Sequence, residues 1–251
     1  MSLRVTWQQA LLLALVLFIL FPMAFLFYGS VWSSRPRAEG QFTLANYGAL
    51  LSNPRTGEML VNSLLYAAGT ATVATSIGFL LAFIVTRTDA PLKRVMAFVP
   101  LIVLVTPTMV DTLAWTYLLS PRTGLINLLI GFPLFNIYSI WGMVWVMGAA
   151  LIPLAYLILS GPLRKIGPSL EEAASIAGGR LRQVISAVTI PLVLPSILAV
   201  FLLTFLIGLT SVIAPLMLGI PGRVRVFTNE IYRYVLGIQP AVWGTATAWC
   251  G

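Results

Sequence analysis

The chain has 251 residues, 59% of them hydrophobic and only 9% charged, against roughly 25% charged in an ordinary soluble domain, and a soluble fold cannot hide that much apolar surface. Its formal charge of +8 comes from Lys and Arg scattered in short loops between apolar runs, a pattern that fits lipid headgroups and membrane topology and not nucleic acid. With no His and a single Cys, Cys250, disulfide frameworks, Cys/His zinc sites and imidazole-based acid–base catalysis are excluded, so neither a metal site nor a cofactor is expected.

Charge spacing marks the spans. No charged residue occurs between Arg4 and Arg35, Glu58 and Arg87, Arg122 and Arg164, or Arg182 and Arg223. Each gap exceeds the roughly 20 residues a helix needs to cross about 30 Å of hydrocarbon. The first helix is predicted over about Gln8 to Trp32; its apolar run from Ala10 to Tyr28 is longer than a signal-peptide core, so it reads as a retained membrane helix. A polar stretch from Ser33 to Glu58 carries Pro36, Gly40, Pro54 and Gly57 as loop signals. The second helix is expected over about Leu60 to Thr86, and the short loop Arg87 to Arg94 precedes a third over about Val95 to Leu119, with Asp111 inside it.

Between Ser120 and Asn136, Pro121, Gly124, Gly131 and Pro133 predict an irregular or partly re-entrant segment before a fourth helix, about Ile137 to Ser160. The longest polar stretch after it is Gly161 to Ile190, followed by a fifth helix, about Pro191 to Leu218, and a loop from Gly219 to Pro240. A sixth apolar run starts at Ala241 and stops at Gly251, about 11 residues and too short to span, so the sequence reads as truncated. The expectation is an all-α membrane protein of five complete transmembrane helices and the start of a sixth. No internal repeat, low-complexity segment or soluble domain interrupts it.

Counting Lys and Arg does not decide the orientation. With the N-terminus in the cytoplasm, the inner segments hold Arg4, three residues of the Arg87 to Arg94 loop and four of Gly161 to Ile190. The outer ones hold Arg35, Arg37, Arg55, Arg122, Arg223, Arg225 and Arg233. Eight against seven is a tie in practice, although the inner loops are shorter and denser in charge.

Within Gly161 to Ile190, the segment Ser169-Leu-Glu-Glu172-Ala-Ala-Ser-Ile-Ala-Gly178 has a helix start and a helix stop. Ser169 and Glu172 have capping-box spacing, and Gly178 with Gly179 can take the positive φ of a helix C-terminus. A second amphipathic stretch, about Arg180 to Thr189, leads to Pro191 and Pro195. Helix, tight turn and helix form a loop suited to presenting a surface.

This loop resembles the EAA loop of binding-protein-dependent ABC importer permeases, whose pattern is Glu-Ala-Ala, three residues, Gly, nine residues, Ile-x-Leu-Pro. Here it is Glu172-Ala173-Ala174, Gly178 and Val188-Thr189-Ile190-Pro191, with only the two aliphatic positions changed. Looser matches cover most of Phe42 to Gly251: Phe42-Thr-Leu-Ala-Asn-Tyr47 resembles the opening of a permease core domain. Pro215-Leu-Met-Leu-Gly219-Ile-Pro221-Gly222 with Phe227-Thr-Asn-Glu-Ile-Tyr232 resembles permeases of the iron(III), polyamine and thiamine group. Around Gly208 to Val212, an acidic or Phe-Gly feature of that group is replaced by Gly-Leu-Thr-Ser-Val.

The resemblance implies the transmembrane domain of a type I ABC importer, with an N-terminal helix in 1–41 and the permease core in 42–251. It also implies a multi-pass protein of the bacterial inner membrane with a cytoplasmic N-terminus. The short helix would be the coupling helix seated in a cytoplasmic ABC ATPase, and the implied partners are that ATPase, a second permease domain, fused or separate, and a periplasmic or lipoprotein solute-binding protein. The implied cargo is iron(III) first, then polyamine or thiamine. No Gly-x-x-x-x-Gly-Lys-Ser/Thr loop is present, so the chain itself is not expected to be an enzyme. Ala173, Ala174 and Ala177 leave one face small enough for close approach, and Glu172 suits either a contact to a basic partner residue or capping of its own helix.

Asp111 is the one acidic residue inside a predicted span, where an unpaired carboxylate costs a few kcal/mol. Two readings stay open: it faces a translocation cavity with Thr108 and attracts a cation, or it is hydrated near the outer end of the helix. An ion-coupled secondary transporter is the rival reading, but its relay would need several such groups. A membrane-embedded protease would need a His set or a second carboxylate.

Overall fold

The computed structural model describes residues 7–33, 39–166, 185–237 and 243–248. Its helices are α1 (Trp7–Ser30), α2 (Ala45–Leu51), α3 (Thr56–Arg87), α4 (Lys93–Val105), α5 (Thr108–Leu119), α6 (Leu125–Ile130), α7 (Ile140–Lys165), α8 (Ile190–Thr210), α9 (Phe227–Tyr232) and α10 (Trp243–Ala248). Single π-helical turns stand at Ile185–Thr189, Pro215–Gly219 and Arg233–Gly237. Among the described residues the extended backbone pairs at one isolated bridge, Trp32 with Phe42. The chain forms two compact units, one of Met1–Leu60 with Asn229–Gly251 and one of Val61–Thr228.

In the first unit, α1 is 24 residues of almost uninterrupted apolar sequence whose side chains are exposed from Trp7 to Tyr28. Such a helix is stable only where lipid covers it. Its C-terminal end is tied to α2: Asn46 Nδ2 donates to the carbonyls of Ser30 and Trp32, each at 3.0 Å. Gly29 lets α10 approach so closely that a Cβ there would lie 3.2 Å from the Thr247 methyl. Glu230, 3% exposed, is paired with the Arg233 guanidinium one turn later.

The second unit is built around α7. Ser139 caps it by accepting from the Gly142 N–H at 3.1 Å, and Arg164 and Lys165 in its last turn suit the negative end of the helix dipole. Helix α3 lies along α7 with small residues at the contact: a Cβ on Gly69 would come within 2.8 Å of Val144, one on Gly148 within 2.7 Å of Val73, and one on Gly78 within 2.5 Å of Ala155. Both numberings rise together, so α3 and α7 run parallel. Helix α8 runs antiparallel to both: Val193 near its start packs with Leu163 and Ile166, while Ser211, just beyond its end, donates to Met147 Sδ at 3.4 Å. Five hydroxyls inside the helices of this unit are satisfied locally: Thr86, Thr112, Thr116, Ser160 and Thr204 each donate to a carbonyl four residues back, whereas the Thr70 and Thr75 hydroxyls of α3 are buried without a partner.

Among the described residues, four helices are long and apolar enough to cross a membrane: α1, α3, α7 and α8. A fifth span counts only if α4 and α5 are taken together, and they are bent by 109°. The expected continuous third helix is therefore corrected. Pro107 lacks an N–H and forces Thr106 out of the helical region, to φ −73° and ψ 127°. The fifth helix is shorter than expected for a related reason. Pro215 is incompatible with the carbonyl of Ser211 four residues back, so α8 stops at Thr210 and Ser211 is extended at ψ 135°. The fourth helix is longer than expected and carries Gly161 and Pro162 inside α7, which delays the start of the polar loop to Ile166.

Candidate functional site

The polar loop between α7 and α8 has both of its roots described. On the α7 side, Ile166 leaves the helix at ψ 114°, and its carbonyl accepts from Arg87 Nη2 at 2.8 Å. On the α8 side, Thr189 is fully buried and Val193 joins Ala82, Ala155, Leu159, Leu163 and Ile166 in one apolar cluster. The C-terminal end of α3, the C-terminal end of α7 and the N-terminal end of α8 thus meet at one end of the unit. Because α3 and α7 are parallel, the Arg87 to Arg94 loop lies at that end as well, and with it Arg87, Lys93, Arg94, Arg164 and Lys165.

Of the residues expected to make the coupling surface, Glu172, Ala173, Ala174 and Gly178 lie outside the described residues. Val188 falls in the π-helical turn before α8. Ile190 opens α8, 36% exposed, and Pro191 occupies its first turn, where a missing N–H costs nothing.

The bend at Thr106–Pro107 positions the pathway candidates. Thr108 and Asp111 share the first turn of α5, three residues apart and so on one face. The Asp111 N–H donates to the Pro107 carbonyl at 3.1 Å, and its carboxylate sits at the positive end of the helix dipole. The side chain is half-buried, with Oδ2 enclosed and without a hydrogen-bond partner. The carbonyl of Thr108 is taken by the Thr112 hydroxyl at 2.8 Å. Among the described residues, no group of three or more His, Cys, Asp or Glu side chains is arranged to hold a metal ion.

Two features escaped the sequence reading. Asn127, 4% exposed, holds the 120–136 segment together: its Nδ2 donates to the carbonyls of Ser120 at 3.0 Å and Phe135 at 2.7 Å, and its Oδ1 accepts from the Phe135 N–H at 2.9 Å. The available signal was one amide in the otherwise apolar run Leu-Ile-Asn-Leu-Leu-Ile, since a buried amide needs partners. Beside it lies an aromatic cleft of about 530 Å³ lined by Trp115, Leu119, Ile126, Trp141 and Trp145, where Trp115 and Trp145 meet edge to face at 5.4 Å.

No protein-family model matches the chain. Among curated proteins it is 27% identical over 237 residues to the ferric transport system permease protein FbpB of Actinobacillus pleuropneumoniae, covering 92% of this chain and 33% of that one. To a ferric transport system permease of Haemophilus influenzae it is 26% identical over 234 residues, covering 91% of this chain and 36% of that one. The chain thus spans about a third of the length of these two relatives. Among solved structures, a bacterial ABC transporter that imports the acidic polysaccharide alginate matches with a TM-score of 0.77 at 17% identity, covering 98% of this chain and 89% of that one. The same kind of transporter, in complex with its alginate pentasaccharide-bound periplasmic protein, matches with a TM-score of 0.75 at 18% identity over 98% and 88%. The relatives are ABC transporter permeases, and the fold is that of an ABC importer transmembrane domain.

Proposed function

We propose that this chain is a permease subunit of an ABC importer in the bacterial inner membrane, forming the substrate path and coupling to a separate cytoplasmic ATPase through the loop 161–190. The observation that carries this reading is the meeting of both loop roots with the end of α3 in one buried cluster, under a loop whose sequence keeps the Glu172, Gly178 and Pro191 spacing. A loop rooted where three helix ends meet can pass a displacement into the spans. The crowding of Arg87, Lys93, Arg94, Arg164 and Lys165 at that end, against Arg122, Arg223 and Arg225 at the other end of the unit, supports a cytoplasmic loop and N-terminus.

The two ferric transport relatives favour iron(III) as cargo over polyamine or thiamine. Their length leaves room for a second permease domain, and the periplasmic protein bound to the alginate transporter supports a solute-binding partner here, the core domain beginning at Phe42. In this reading Asp111 and Thr108 face the path, the carboxylate attracting a cation. The rival, ion-coupled transport, draws on the broken span beside Asp111. The test is uptake into proteoliposomes holding the permease, its ATPase and its binding protein. ATP-dependent ferric uptake, lowered in Asp111→Asn without loss of protein, is expected. Uptake driven by a proton or sodium gradient in the absence of the ATPase would overturn the assignment.

A further inference from the structure

Helix α3 is tied by polar side chains at both ends, and the two ties reach different parts of the chain. At one end Arg87 Nη2 donates at 2.8 Å to the carbonyl of Ile166, the residue where α7 gives way to the polar loop. At the other, Asn62 Nδ2 donates to the carbonyl of Arg225 at 3.0 Å, and Ser63 Oγ accepts from the Phe227 N–H at 3.0 Å. Residues 62 and 87 are separated by about 37 Å of continuous helix at 1.5 Å per residue. Arg225 and Phe227 belong to the segment after α8, on the side opposite the loop.

Three properties make α3 a stiff connection. No Pro interrupts its 32 residues, whereas α1, α4, α7 and α8 each contain at least one. Its contact with α7 is closest at Gly69, Gly78 and Gly148, where no side chain stands on the glycine to absorb a displacement. The tie at Arg87 is charge-assisted and falls on a carbonyl released from the helical ladder by the turn of the chain at Ile166, so it holds the loop root more firmly than a neutral contact.

We infer that α3 is the transmission element between the loop root and the segment 223–227 on the opposite face, with Arg87 and the Asn62/Ser63 pair as its positioning residues. Displacement of Ile166 is carried along α3 and reaches Arg225 and Phe227 through their backbone hydrogen bonds. This rests on the reading of the loop as the docking surface of an ATPase.

The experiment measures cargo imported per ATP hydrolysed, in proteoliposomes of the whole transporter, for Arg87→Ala, Asn62→Leu, Ser63→Ala, Arg87→Lys and the double variant Arg87→Ala/Asn62→Leu. Each of the first three is expected to lower the ratio by about tenfold, the scale of a typical coupling free energy, while the ATPase still co-purifies. The double variant is expected to fall no further than either single one, because both cut the same element, and Arg87→Lys is expected to restore part of the ratio. Wild-type ratios in the Arg87 and Asn62 variants, or losses that multiply in the double, would overturn the inference while leaving the assignment as an importer intact. If Arg87→Ala does not accumulate in membranes, Arg87→Lys and Asn62→Leu decide alone, and unchanged ratios in both reject it. Import without ATP in the wild type would reject the inference and the assignment together.

Discussion

Gly78 of α3 and Ala155 of α7 are in such close contact that a Cβ on the glycine would lie 2.5 Å from the alanine Cβ and 3.0 Å from the backbone nitrogen of Tyr156. Neither neighbour can swing aside, since one is a methyl fixed to the helix and the other is the helix itself. Gly78→Ala therefore forces α3 away from α7, at about 1–3 kcal/mol for overpacking, which outweighs the roughly 1 kcal/mol that Ala gains over Gly in a helix. A lower thermal midpoint in detergent is expected. Gly161→Ala is the control, because nothing lies within 4 Å of that position; its midpoint is expected to stay the same or rise.

Asn127 closes the turn between α5 and α7 with three hydrogen bonds, two donated and one accepted. Asn127→Asp keeps only the acceptor and turns both donated bonds into carboxylate–carbonyl repulsions. Asn127→Leu abandons all three, and each buried backbone group left unpaired costs about 1–3 kcal/mol. Both variants are expected to lower the thermal midpoint and to raise proteolysis between Pro121 and Asn136. Unchanged cleavage in Asn127→Leu would show that the segment is held by its apolar contacts alone.

Orientation is open to chemical labelling. With Cys250 replaced, a single cysteine at Lys165 is expected to react with an impermeant maleimide only after the membrane is permeabilised, and one at Arg225 is expected to react in intact cells. The two positions lie at opposite ends of the unit, so the reverse pattern would invert the whole topology.

The spans were legible in the sequence because lipid imposes a length and forbids unpaired charge: α1 and α8 lie wholly in charge-free gaps, and α3 and α7 carry charge only in their first or last turns. Their interruptions were not. The apolar pattern continues through Pro107 and through Ser211, so composition joined segments that proline chemistry separates, and the 109° turn depends on backbone dihedrals that hydropathy does not encode. The parallel course of α3 and α7 rests on glycines meeting Val144, Val73 and Ala155 across the chain, contacts invisible in one dimension. For the candidate site the balance is reversed. Glu172, Ala173, Ala174 and Gly178 are read from sequence spacing, while the structure contributes the two roots of their loop, at Ile166 with Arg87 and at Val193.

Docking of a separate ATPase on the 161–190 loop is tested most directly by the ratio of ATPase to permease in complexes purified from membranes, for wild type, Glu172→Lys and Gly178→Pro. Both variants are expected to insert at wild-type levels and to lose the ATPase, one by reversing the charge at the proposed contact and the other by removing the glycine on which the turn expected from the sequence depends. An unchanged ATPase-to-permease ratio together with unchanged uptake in both variants would contradict it.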